Sequence, residues 1–312
     1  MCALLYLFDM SKRSLGILAL VFTTIFWGIG PVAAKAGLEE MGPFTLAFLR
    51  NVLSLSLILP FVLYRNLLRV KKGDLPTLLI IGFFGSGLNA IFFLTGVDKT
   101  SAASSAAIFA TVPLINIIAA SLILKEKPSL ARVLGVIIGF VGSFTIALGP
   151  YFLGKGKIDG DVLGNALVLG AAFSWVCYII GSKELLKKYS PFTIVTFSLI
   201  SGIITLLPLF ALEFLGNPNW YLSIGSAGLI SIVYGGLMSG FLAFILFQWG
   251  MQYVSAIEVG IFIYLQPVIT DIFASSILGE QLSSLFLVGS GLILGGVFLA
   301  TTYELIQKRR NS

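Results

Sequence analysis

Ten separate apolar runs dominate the sequence, at roughly 14–34, 43–64, 75–96, 101–124, 129–149, 162–182, 191–214, 223–250, 255–278 and 283–304. Each is close to the roughly 20 residues a helix needs to cross the hydrocarbon of a bilayer at about 1.5 Å per residue. Inside hydrocarbon every backbone donor and acceptor must be satisfied within the protein, so runs of this length are predicted as helices. Only short loops separate them, which leaves no room for a soluble domain. The expected fold class is an all-α integral membrane protein of ten transmembrane helices. The opening stretch "MCALLYLFDMSKRS" has no small-residue cleavage pattern and is read as a short tail rather than a signal peptide, with Met1 and Met10 both candidate starts.

Composition excludes several kinds of chemistry. At 57% hydrophobic, 11% charged and a mean hydropathy of +1.01, the chain has too little charge to cover a soluble surface. It has no histidine and only two cysteines, Cys2 and Cys177. The commonest metal ligand, the usual general base and a disulfide framework are therefore all missing. No catalytic residue, no metal and no cofactor are expected, and the chain is read as not an enzyme. "GPYFLGKG" at 149–156 resembles a phosphate-binding loop, but no Ser or Thr follows its lysine and no strand precedes it.

The distribution of Lys and Arg orients the chain. Fifteen fall on the side of the N-terminus and the even-numbered loops: Lys12, Arg13, Arg65, Arg69, Lys71, Lys72, Lys125, Lys127, Arg132, Lys183, Lys187, Lys188, Lys308, Arg309 and Arg310. Four fall on the other side, Lys35, Lys99, Lys155 and Lys157, and Arg50 lies within the second run. This bias predicts both termini in the cytoplasm of a multi-pass protein of the cell (inner) membrane. The net charge of +6 is thus a topology signal, and no nucleic-acid partner is expected.

The chain also repeats itself. "FWGIGPVAAK" (26–35) aligns with "SWVCYIIGSK" (174–183) at an offset of 148, which pairs Trp27 with Trp175 and Lys35 with Lys183. The same offset pairs "PFT" at 43–45 with "PFT" at 191–193, and Pro60 with Pro208. After a six-residue insertion the offset becomes 154 and pairs Gly96 with Gly250, Pro113 with Pro267, and Glu126 with Glu280. Over residues 260–280, 8 of 21 residues match 106–126. Each half holds five spans, an odd number, so the second half enters the membrane inverted. Residues 1–149 are expected to form the first repeat, 150–161 an external linker and 162–312 the second repeat. Inverted repeats are a transporter architecture, with the site between the halves near the midplane.

"FWGIGPVAAKAGLEEMGPFTLAFLRN" in the first half, together with "ILKEKPSLARVLGVIIGFVG" and "ILGEQLSSLFLVGSGLILGG", resembles the EamA-like members of the drug/metabolite transporter superfamily. Lys125 stands where the other half has Gly279. The resemblance covers nearly the whole chain. It implies a secondary transporter of small metabolites such as amino acids, often an exporter, with a central cavity between the repeats.

Several residues are candidates for that cavity. Asp271 shares a small or polar helix face with Gly260, Tyr264, Pro267 and Ser275. An ionisable residue inside a span is a functional candidate. It could bind a substrate amine, carry a coupling proton or ion, or form a charge pair with Arg50. Pro113 and Pro267 are candidate bending points, each expected to free a backbone carbonyl, at Phe109 and Ile263. Trp27, Asn89, Asn116, Tyr178 and Tyr234 could join the site or serve helix packing. Glu126 and Glu280 are expected to accept from the first turn of the helix that follows each. Glycines at 135, 139, 142, 291 and 295 are expected at close helix contacts, within a monomer or across a homodimer.

The expected partners are a small-molecule substrate and the lipid bilayer. The leading reading is alternating-access transport. A membrane-embedded enzyme or receptor-like binding protein, and an ion-coupled multidrug exporter, are the alternatives.

Overall fold

A computed structural model describes residues 11–99, 108–152, 162–222, 224–278 and 284–310. Ten helical rods follow one another: α1 Lys12–Leu38, α2 Pro43–Tyr64, α3 in three pieces (Leu75–Gly82, Phe83–Leu88 and Asn89–Lys99), α4 Val112–Ile123 and α5 Leu130–Phe152. The second half supplies α6 Val162–Leu185, α7 Pro191–Gly216, α8 (Ser226–Val233, Tyr234–Ala243 and Phe244–Met251), α9 (Ala256–Phe262 and Leu265–Leu278) and α10 Ser284–Arg310. No strand occurs among the described residues. Eight of the rods contain a stretch long and apolar enough to cross a bilayer, and two shorter apolar helices, Val112–Ile123 and Leu285–Thr301, belong to α4 and α10. The chain is an all-helical membrane protein built as two repeats of five helices. Residues 101–107 at the start of span four, most of the 150–161 linker, and Glu280 lie outside the described residues.

Local sequence sets the helix ends. Ser11 and Ser190 cap α1 and α7 by accepting from Ser14 N and Thr193 N, and Pro43 and Pro191 stand in the first turn, where a missing N–H costs nothing. Asn66 and Lys125 are the described non-glycine residues with positive φ, 54° and 56°. Lys125 closes α4: the amide of Glu126 reaches back to the carbonyl of Ala120 at 3.2 Å across this left-handed residue. Glycine would hold that turn without strain, and the equivalent position carries Gly279.

Equivalent helices of the two repeats pair across the molecule. α2 packs along α7, and α5 packs along α10. The α5–α10 contact is made by Gly135 against the Gly296 carbonyl and Gly142 against the Gly289 carbonyl, so close that a Cβ at any of these four would lie 2.6–2.7 Å from the opposing oxygen. Gly139 lies under the Tyr264 ring. Gly291 and Gly295 make no close contact within this chain. Tethers at the helix ends follow the same pseudo-symmetry. Glu40 accepts from Gly225 N and Gly228 N at 2.8 Å each, at the start of α8. Lys188, at the equivalent position 148 residues on, donates to Asp74 at 3.0 Å, at the start of α3.

The third helix of each repeat contains a π-helical stretch, Phe83–Leu88 in α3 and Tyr234–Ala243 in α8. Continuous spans were the sequence expectation. These wider turns free backbone groups for other partners: the Ser54 hydroxyl donates to Gly236 O at 2.8 Å, and the Ser174 hydroxyl to Phe84 O at 2.6 Å. Such stretches occur often at functional sites.

Candidate functional site

The seam between the repeats is filled by aromatic rings. Trp27 on α1 meets Trp175 on α6 edge to face, ring centroids 5.2 Å apart at 80°. Phe247 and Phe244 of α8 flank Trp27 at 5.0 and 5.6 Å, and Tyr178 lies 5.2 Å from Trp175. The indole Nε1 of Trp27 donates to the Ser239 carbonyl at 3.1 Å, inside the π-helical stretch of α8. Tyr178 is fully buried, and its hydroxyl accepts from Gln248 Nε2 at 2.8 Å. Beside Trp27 a hollow of only about 10 Å³, lined by Leu20, Thr23, Thr24 and Gln266 among others, is room for about one water. The seam is therefore shut at this level.

Below it, at the face where α1 begins, a polar network joins both halves. Glu258, 3% exposed at its side chain, forms ion pairs with Arg13 of α1 and, at 3.3 Å, with Arg132 of α5. Glu258 also completes a capping box with Ser255 at the start of α9. Glu126 at the end of α4 accepts from Ala256 N at 2.8 Å and Ile257 N at 3.1 Å. The expected role, accepting from helix-start amides, is correct in kind, but the helix is α9 of the other repeat and not the one that follows. The helix N-terminus attracts the carboxylate electrostatically as well as by hydrogen bonds. Lys183 Nζ donates to the carbonyls of Met251 and Val254 at 2.5 Å each, which caps the end of α8. The α8–α9 turn is thus held from three sides by residues of both repeats.

On the opposite side of the aromatic layer, Tyr234 begins the π-helical stretch of α8, and its hydroxyl donates to Phe26 O at 2.8 Å. Arg50 lies across Gly235 and beside Tyr234. Among the described residues Arg50 makes no ion pair, so the charge pair expected with Asp271 is not formed. α2 packs on α7 and α8, whereas the second piece of α9 that carries Asp271 packs on α1. Thr270 next to it donates to Gly28 O at 2.7 Å.

Other predicted site residues tie helices together. Asn89 Nδ2 donates to Ala171 O at 2.9 Å, and the fully buried Asn116 donates to Ala256 O at 2.7 Å. Tyr264 is buried against Gly139. Pro113 and Pro267 each fall in the first turn of a helical piece, after breaks near Ala110–Thr111 and Ile263–Tyr264. The carbonyl that Pro267 frees, Ile263 O, is taken by Gln266 N at 3.0 Å. Sequence reasoning missed Glu258, Ser239 and the π-helical stretches. The one local signal was the S-x-x-E spacing of Ser255 and Glu258.

A model of the EamA-like transporter family matches residues 14–148 and again 162–302. An uncharacterized transporter of Archaeoglobus fulgidus is 26% identical over 90% of this chain and 97% of its own length. The transporter YdfC of Bacillus subtilis, also uncharacterized, is 27% identical over 87% of this chain and 86% of its own. A protein of Streptantibioticus cattleyicolor named as a probable terminal-alkyne amino-acid exporter is 25% identical over 96% and 98%. A solved crystal structure superposes with a TM-score of 0.77 over 93% of this chain and 99% of that chain; at 20% identity it shares the fold.

Proposed function

Because the chain belongs to the EamA-like transporter family, we propose that it is a secondary active transporter that exports small metabolites such as amino acids by alternating access between its two repeats. The observation that carries this reading is a closed face in a frame of two paired repeats. Equivalent helices meet across the seam, yet the face at which α1 begins is shut by Glu258, Glu126 and Lys183 and by the aromatic layer above them. In an inverted repeat, exchange of the two halves' conformations would open this face and shut the other. The positive-inside bias supports a cytoplasmic position for the shut face, with both termini inside. The name of the Streptantibioticus relative favours amino acids as the substrate class. Asp271 is the residue this reading assigns to a substrate amine or a coupling proton.

The test is flux. Purified protein in liposomes loaded with a mixed pool of amino acids and other small metabolites should release a subset of them, measured by mass spectrometry of the external medium. Retention of every compound, with and without a proton gradient, would refute the transporter reading.

A further inference from the structure

Arg50 is an intramembrane cation that the fold itself does not use. It stands seven residues into α2, about 10 Å from the helix end. Its neighbours on the same helix face, Ala47, Ser54 and Ile58, are all buried, so the side chain points into the protein rather than to lipid. Its stem and Nε lie on Gly235, where a Cβ would overlap them, and Tyr234 stands alongside. The Nε is buried with no hydrogen-bond partner, while the residue as a whole keeps part of its surface accessible. Glu213, in the last turn of α7, which packs along α2, is committed to Phe44 N, Thr45 N and the Thr45 hydroxyl.

The duplication shows what this position requires structurally. An offset of 148 places Ser198 where the first repeat has Arg50. Ser198 is buried and donates to Ile194 O at 2.8 Å. The frame therefore stands without a cation. Asp271 breaks the repeat in the same way, since the offset of 154 pairs it with Ile117. A charge at such depth is costly, and charged residues kept there mark substrate or ion pathways.

We propose that Arg50 binds the carboxylate of the transported molecule, which makes carboxylate-bearing metabolites the substrate class of this carrier. The proposal rests on the transporter reading above. A guanidinium presents a planar fork of donors that matches the two oxygens of a carboxylate. One such group neutralises one negative charge, so a doubly charged phosphate would remain anionic in a region of low dielectric. Tyr234, linked through Phe26 to Trp27, connects the Arg50 position to the aromatic layer at the seam. A carboxylate at Arg50 would thus place its side chain or amine toward the interface that alternates.

The experiment compares two probes on purified full-length protein: an equimolar mixture of amino acids, and the matching mixture of amino-acid amides. Binding is read as thermal stabilisation in detergent and transport as flux in liposomes. The acids should bind and cross roughly 30-fold better than the amides. Arg50→Gln should abolish that preference, and Arg50→Lys should keep part of it. Equal treatment of acids and amides by the wild-type protein would overturn the proposal even if Arg50→Gln does not fold. So would an Arg50→Gln protein, folded at wild-type yield, that keeps the preference. Arg50-dependent stabilisation by acids without flux would leave the carboxylate site standing and sink the transporter reading. Equal flux of acids and amides would do the reverse.

Discussion

Trp27 and Trp175 occupy equivalent positions in the two repeats, 148 residues apart, and their rings meet edge to face with centroids 5.2 Å apart. Two copies of one residue can touch in this way only if the pseudo-twofold axis passes between them. The contact therefore marks the axis, and it sits about midway along both helices, eleven residues from the end of α1 and ten from the end of α6. The environments of the two rings differ: Trp27 donates its indole N–H to Ser239 O at 3.1 Å, and Trp175 has no such bond among the described residues.

That difference predicts unequal effects of the same substitution. Trp27→Phe keeps a ring in the cluster and loses the hydrogen bond to α8, at a cost of about 1 kcal/mol. Trp175→Phe loses ring area alone. Thermal unfolding in detergent should rank Trp27→Phe as the less stable protein. Equal midpoints would show that the bond to the π-helical stretch contributes nothing.

Glu258 is the centre of the closure at the face where α1 begins. Glu258→Gln removes the partner of both Arg13 and Arg132. Breaking a buried pair costs about 3 kcal/mol or more, and the part-exposed Arg13 places this case at the low end. The loss falls on the conformation shut at this face. Labelling of a cysteine introduced at Gln266, probed from the side of the N-terminus, should become faster in Glu258→Gln. Unchanged labelling would mean that the ion pairs do not hold the face closed.

The ten spans, the duplication and the equivalence of Trp27 with Trp175 are legible in the sequence, because each is a pattern of residue type at a fixed spacing. The network around Glu258 is not. Arg13 lies 245 residues from it in the chain, and Glu126 finds its amides 130 and 131 residues away in the other repeat. Helix periodicity identifies a face but not which helix covers it, so the carbonyls that Asn89 and Asn116 bond on other helices cannot be read from it. The π-helical stretches leave no mark in hydropathy, since one inserted residue per turn changes register without changing composition. Arg50 and Asp271 are legible as costly intramembrane charges, and whether they pair is not, since depth along two helices says nothing of lateral separation.

Asp74 predicts a pH dependence at the start of α3. Its carboxylate accepts from the Tyr189 hydroxyl at 2.7 Å and from Lys188 at 3.0 Å. These bonds, the tyrosine's foremost, hold its pKa below the ordinary 3.8. A depressed carboxylate pKa contributes stability that is fully present above the unfolded value and fades as pH falls through the folded value. The stability difference between wild type and Asp74→Asn should be constant from neutral pH down to about that ordinary value and shrink only below it. A difference that grows on acidification would contradict the assignment.

Pro267 stands where α9 resumes after its break, and Gln266 N already serves the carbonyl of Ile263 at 3.0 Å. Pro267→Ala supplies a second amide able to reach that carbonyl, which favours one continuous helix through Ile263 and Tyr264. The folded yield should hold or rise while flux per folded molecule falls. Wild-type flux in this variant would leave the break as a static feature of the packing.

Asp271→Asn separates charge from shape on the same helix. The side chain is half-buried, one turn beyond Pro267, on the piece of α9 that packs against α1. A charge at the centre of a helix costs roughly 2.5–3.5 kcal/mol on insertion scales, so a residue kept there without function would be a net loss to the fold. The isosteric amide removes the charge and keeps the shape, so flux per folded molecule reports on the charge. If Asp271 carries a coupling proton, flux through Asp271→Asn becomes independent of an imposed pH gradient. If it binds a substrate amine, the gradient still acts, and the apparent affinity for amino acids falls relative to their deaminated analogues. Flux, pH response and amine preference all equal to wild type would remove Asp271 from the pathway and leave Arg50 as the charge that selects the substrate.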